Sequence, residues 1–374
     1  MLRKLEGFEG LRHITQLARH YEVATGTIAE DTGHRGSNFS ISSSTLLLRT
    51  RDLLDGAADE NVWIVGIPFN VDGGAFSAGQ TIHPWVALRS AAGEQLRFDL
   101  IPAVDSKPGG AYYKLRASRG ATVLATSVER FPGTISALDW TYFEIKATVR
   151  TGANGSFSAR YHSRRNKNVA ITWDASTTGI NTANQGADGA DRVEISLANN
   201  STVTLLIDNV YVCDGTGSVN NDFLGEPEIE VLDVSGDGAT VQWDNNGGAA
   251  SLEDAWNEAA DIQTITDDDK RVTTKDVGDI SLAALTNPVL IRSVTVIGVE
   301  SRIVGKMEAS GTRDVQFFYR KTTGSPAQVG TDIVTFSDTA LIGHQNVRET
   351  DPNTAAAWVV ADVDGLQVGV ELDA

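Results

Sequence analysis

Chemistry in a protein needs acids, bases, nucleophiles or ligands at set spacings, and this chain offers few. The best-ordered candidate is Thr141–Val149, where Tyr142, Glu144, Lys146 and Thr148 alternate with Phe143, Ile145, Ala147 and Val149. On a strand, alternate residues share a face, so Glu144 has Lys146 as its next same-face neighbour. Retaining glycoside hydrolysis needs a second carboxylate about 5 Å from the first, and a lysine cannot supply it. The six histidines, His13, His20, His34, His83, His162 and His344, form no HxH or HExxH pattern. Gly215–Asn220 (GTGSVN) follows an apolar run but opens no helix and carries no Lys, so it reads as a loop and not a phosphate cradle. Asp267-Asp268-Asp269 reads as a solvated turn. Among seven tryptophans, most lie in apolar runs and suit core packing. Trp173 sits beside a loop rich in Thr, Asn and Gly. With Tyr161 it is the candidate for stacking on a sugar ring. These residues predict no catalytic apparatus, and the chain is expected to be no enzyme.

The elements that must position these residues are strands. The chain has 374 residues, 36 Gly and only 9 Pro, as folds with many tight turns require. Hydrophobic residues make up 41% and charged ones 21%, a globular balance. Asn61–Val71 is nearly continuous in apolar residues, as a strand covered on both faces would be. Thr81–Arg89, Glu94–Leu100, Phe157–His162 and Ala190–Leu197 follow at sandwich-like spacing, and Asn154-Gly155 predicts a tight hairpin. Val203–Val212 is a strand that Asp208-Asn209 interrupts, where a bulge would fit. Short helices are expected at Arg12–Tyr21 and Ser251–Ala260. Ser235-Gly236-Asp237-Gly238 is expected to turn, Ser281–Leu285 to form a single turn, and Pro288–Val299, Val315–Arg320, Ile333–Phe336 and Leu366–Glu371 to be strands. The fold class is mainly β: a jelly-roll sandwich over 1–214, a linker at 215–225 containing Asn220, Asn221, Asp222, Phe223 and Leu224, and a smaller β-sandwich domain over 226–374.

The net charge of −18 opposes nucleic acid as a partner, because phosphate binding needs clustered cations. A basic run at Arg160, Arg164, Arg165 and Lys167 contrasts with acidic stretches nearer the C-terminus, an asymmetry that head-to-tail contacts between copies could use. The single cysteine, Cys213, permits no internal disulfide. No stretch approaches the roughly 20 apolar residues of a membrane span, and MLRKLEGFEG lacks an apolar signal core. The sequence therefore predicts synthesis in a cytoplasm without membrane insertion.

Several motifs occur in a fixed order: LEGFEGL (Leu5–Leu11), TGHRG (Thr32–Gly36), TYFEIKATV (Thr141–Val149), GADGADRVEIS (Gly186–Ser196), DNVYVCDGTGSVNNDFLGE (Asp208–Glu226), SGTRDVQFFYR (Ser310–Arg320) and AAAWVVADVDGLQVGVEL (Ala355–Leu372). Together they resemble a family of tailed-bacteriophage virion structural proteins, in which a concanavalin A-like (LamG-like) jelly roll precedes a second β-domain. The resemblance covers nearly the whole chain. It implies location in a virion, with copies of itself and other virion proteins as partners, in the tail, a fibre or an adhesion appendage in preference to capsid decoration. Jelly rolls of this type include glucanases, whose E-x-D-x-x-E strand has no match here. Many also hold a rim calcium ion, for which Asp188, Asp208 and Asp214 are the candidates, although a hard cation needs six to eight oxygens and no DxDxDG loop occurs. No other cofactor is expected. The alternative functions are a carbohydrate-binding module for a host surface glycan and, behind it, a glycoside hydrolase.

Overall fold

A computed structural model describes residues 1–7, 21–30, 39–54, 58–72, 82–103, 112–132, 140–162, 168–196, 204–246, 271–288, 295–307, 311–321, 328–337 and 342–373. The chain divides into two compact units, Met1–Ile229 and Glu230–Ala374. The two expected helices fall outside the described residues, except that Tyr21, at the end of the first, opens a strand.

Unit 1 is built from β1 (Leu2–Glu6), β2 (Tyr21–Glu30), β3 (Phe39–Thr50), β4 (Val62–Asp72), β5 (Ile82–Ser90), β6 (Gly93–Ala103), β7 (Tyr112–Arg119), β8 (Thr122–Thr126), β9 (Phe131–Pro132), β10 (Thr141–Thr148), β11 (Gly155–His162), β12 (Val169–Ala170), β13 (Thr178–Ile180), β14 (Arg192–Ser196), β15 (Thr204–Ile207) and β16 (Val210–Asp214). The main path of hydrogen-bonded neighbours runs β12-β11-β10-β4-β15-β3-β14-β5-β6-β7-β8. The long strand β3 turns the corner of this path: Ile41–Ser43 pair with β15, whereas Leu47–Arg49 pair with β14. One strand serving two layers is how a sheet folds into a sandwich. The layers meet through aromatic residues. Phe69 of β4 and Phe143 of β10 lie 5.3 and 5.2 Å from Trp85 of β5, and Phe98 of β6 lies 5.8 Å from Phe157 of β11. Trp63, Val65, Ile67, Leu88, Leu96, Leu115, Val193 and Ile195 fill the same core. Fully burying each such side chain stabilises by roughly 1.5–3 kcal/mol, so this interior carries the sandwich.

The interruption expected at Asp208-Asn209 is present. β15 and β16 both pair with β4, and between them Asn209 takes a positive φ of 45°. The Asn154-Gly155 hairpin differs. Thr148 pairs with Ser156, and the link is a 3-10 turn over Gly152–Asn154 with the positive φ (63°) at Gly152. The Thr182 side chain sets this geometry: its hydroxyl accepts from Arg150 N–H and donates to Thr148 O.

Unit 2 contains β17 (Val234–Val241), β18 (Asp244–Asn246), β19 (Arg271–Thr273), β20 (Ile280–Leu285), β21 (Val299–Gly305), β22 (Arg313–Arg320), β23 (Gln328–Phe336), β24 (Ile342–Arg348), a helical turn α1 (Val360–Val363) and β25 (Gln367–Leu372). Five strands form a sheet in the order β17-β20-β25-β22-β23, and β21-β24 is a separate hairpin. Phe317, Tyr319, Trp358, Val363 and Leu366 make a core that Val299 and Ile303 of the hairpin cover. Three expectations change here. Ser235–Gly238 does not turn but lies within β17, and Ser281–Leu285 is no single turn but most of β20, buried at Ser281, Leu282 and Ala283. In the Pro288–Val299 stretch the described residues 295–298 are not in a strand, and β21 begins only at Val299.

Among the described residues both units are built mainly of β-strands, and unit 1 is a jelly-roll-like sandwich.

Candidate functional site

Two polar faces stand on the outside of the unit 1 sandwich. The first involves β10. Its inward residues Phe143, Ile145 and Ala147 join the core, leaving Tyr142, Glu144 and Lys146 on the other side, as the alternation predicts. Across the sheet, Gly66 of β4 pairs with both Glu144 of β10 and Tyr211 of β16. A Cβ at Gly66 would stand 2.0 Å from the Tyr211 ring and 2.5 Å from the Tyr142 hydroxyl, so glycine is required for the two tyrosines to close over the strand.

The segment expected to be a free linker lies across this face. Tyr142 donates to Gly225 O at 2.6 Å, and Gly225 N–H donates to Glu144 at 2.7 Å. Tyr211 donates to Glu144 and accepts from Leu224 N–H. Lys146 pairs with Asp222 at 3.1 Å, the Arg160 guanidinium stacks over the Phe223 ring at 4.5 Å, and His162 meets Glu226 at 3.3 Å. Further on, Ile229 N–H donates to the buried Asn209 side chain. Burial and the nearby Glu144 carboxylate hold both tyrosine hydroxyls protonated, their pKa values well above the ordinary one. Glu144 is therefore committed to an internal strap. Asn220 holds a positive φ of 49°, and Asn221 donates to Gly217 O, so these two shape the turn that leads into it.

The second face covers β3, β14, β5, β6 and β7. Register places Arg49, Glu194, Ala87, Arg97 and Ser118 in one row, and Arg192 and Arg89 in the next; Asp99 and Arg116 pair on the same side. Arg49 holds Glu194 at 2.6 Å and Arg89 reaches it at 3.6 Å. Arg116 holds Asp99 at 2.7 Å and Arg97 lies 3.3 Å from it. Sequence reasoning missed this face. Its signal was an arginine next to an apolar residue in each of five strands: LLLRT, VALRS, EQLRF, KLRAS and DRVEI.

The aromatic candidates do not form an open platform. Tyr161 points into the core, its ring 4.9 Å from Phe131, and Trp173 stands edge-on to Phe157 at 5.0 Å. The calcium candidates each have other partners. Asp188 accepts from Thr151 and Arg150, Asp214 from Arg3 and Thr216, and Asp208 from Asn209 N–H. Among the described residues, no group of three or more His, Cys, Asp or Glu side chains is placed to hold a metal ion.

No family and no curated protein matches the chain. Solved structures do share its β architecture at low similarity. An alginate lyase from Aplysia kurodai is 8% identical, with a TM-score of 0.40 over 57% of this chain and 99% of its own. A glucuronan lyase from Trichoderma reesei is 11% identical, with a TM-score of 0.29 over 57% and 95%. The N-terminal CBM22-1-CBM22-2 tandem domain of Paenibacillus barcinonensis Xyn10C is 10% identical, with a TM-score of 0.26 over 100% and 89%. The expectation that the chain is no enzyme is corrected by the lyases among these structures and is withdrawn. Likenesses of this depth carry no activity, ligand or residue role to this chain.

Proposed function

We propose that the chain is a structural component of a tailed-bacteriophage virion, made in the host cytoplasm and carried in the tail, a fibre or an adhesion appendage. The observation that carries this reading is the ordered motif set. Its longest member, Asp208–Glu226, coincides with β16 and most of the strap that Tyr142, Glu144 and Tyr211 hold. The chain's partners are copies of itself and other virion proteins, arranged symmetrically because particles repeat their subunits. Recognition of a host glycan is compatible with that role. The test is a protein inventory of purified particles by mass spectrometry, with localisation by electron microscopy. The chain should be recovered at a fixed copy number in the tail or its appendages, and its absence from intact particles would overturn the reading.

A further inference from the structure

We propose that the outer face of β3, β14, β5, β6 and β7 binds a linear glycan bearing carboxylate or sulfate groups, gripped by Arg49, Arg89, Arg97 and Arg116. The proposal does not depend on where the chain sits on a particle.

The argument starts from layering. The four arginine side chains are 21–25% exposed, whereas the side chains of Asp99 and Glu194 are 0 and 6% exposed. These two carboxylates lie beneath the four guanidinium groups, while the carboxylate of Glu22, 47% exposed, stands at the border of the face. The buried anions fix the forks without covering them. Arg49 spends Nε and one terminal nitrogen on Glu194, and Arg116 spends the same pair of atoms on Asp99. A guanidinium has five N–H donors, so each keeps donors for an outside anion. Beside Arg97 stands Ser118, 1% exposed, whose hydroxyl has no hydrogen-bond partner among the described residues. A buried polar group of this kind favours a ligand that can pair with it.

Shape selects the polymer class. Neighbouring strands are about 4.8 Å apart, so Arg89, Arg97 and Arg116 step diagonally across β5, β6 and β7, with Arg49 of β3 beyond Glu194 of β14. A repeating polyanion laid across the strands meets one after another. A protein partner needs apolar or aromatic side chains at the centre of its footprint. Here the centre is Ala87, fully buried, with charge all round it. Two carboxylates border the series: Glu22, between Arg49 and Arg192, and Glu94, on Arg97. They favour a ligand that brings bidentate anionic groups able to compete for the exposed forks.

The test is calorimetric titration of the full chain with polygalacturonate, dextran sulfate and neutral dextran in low salt. The two polyanions should bind, dextran should not, and added salt should weaken binding. Arg89→Gln with Arg97→Gln should lower affinity about tenfold or more, as loss of charge-assisted bonds does. Arg150→Gln, at an arginine outside this face, should leave affinity unchanged. If circular dichroism shows the double Gln variant unfolded, Arg89→Lys with Arg97→Lys keeps the charges and removes the forks, and should still weaken binding several-fold. Failure of both polyanions to bind, equal binding of dextran, unchanged affinity in the folded face variants, or stronger binding of duplex DNA than of polygalacturonate would each overturn the proposal.

Discussion

Glu144 is the residue on which the sequence and the structure differ most in meaning. On β10 it reads as a lone carboxylate with Lys146 as its same-face neighbour, and its partners prove to be the Tyr211 hydroxyl of β16 and the Gly225 N–H of the strap. Glu144→Ala leaves these donors buried without an acceptor, which should cost about 3 kcal/mol. Glu144→Gln keeps an acceptor and should cost less; urea denaturation of the two variants measures the difference. Gly66→Ala is a second test, because its methyl group would displace the rings of Tyr142 and Tyr211, a clash worth roughly 1–3 kcal/mol. The alternation that put Tyr142, Glu144 and Lys146 on one side was legible in the sequence. What they touch was not, since their partners lie 67 to 83 residues further along the chain.

At the scale of elements, apolar strands declared themselves and glycine-rich ones did not. β4, β5, β6 and β10 follow from runs of large residues that only a sheet interior accommodates. Ser235–Gly238 has the composition of a turn, yet β17 uses it as a strand because Gly238 crosses close to the neighbouring backbone. A Cβ there would lie 2.5 Å from the Leu282 carbonyl oxygen. Gly238→Ala should therefore destabilise unit 2 and leave unit 1 intact, seen as a shift in one of two thermal transitions. Ser281–Leu285 was obscured in another way: ISLAAL has no alternation because its strand is covered on both sides. The ends of β16 and β24 are pinned by acids. Burial pushes Asp214 up, but the Thr216 hydroxyl and N–H and the Arg3 guanidinium outweigh it and hold the carboxyl below the usual range. Burial likewise acts on Asp351, and Lys321, Thr354 and Asn353 reverse it. A depressed carboxylate contributes its stability above the unfolded value, about 3.9, and loses it as pH falls through the folded one. Both units should thus weaken in acid below about pH 4, and Asp214→Asn should flatten that limb for unit 1 alone.

On the scale of the whole chain, the division at Ile229 makes a fragment test direct. Residues 1–229 should unfold cooperatively. Residues 1–221, which lack the strap, should melt several degrees lower, since about 1 kcal/mol shifts a domain of this size by 2–4 °C. The β character of the chain could be read from composition and strand spacing. The strap and the arginine face could not, because both depend on which strands become neighbours, and β3 decides that by crossing between layers. The strap also has a mechanical meaning. Tension applied beyond Ile229 would load its attachments one at a time, beginning with Asn209, then His162, then the tyrosine–glutamate clasp, before reaching β16. Such a seam opens like a zip at modest force, and it would spare the sandwich behind it when the chain is pulled.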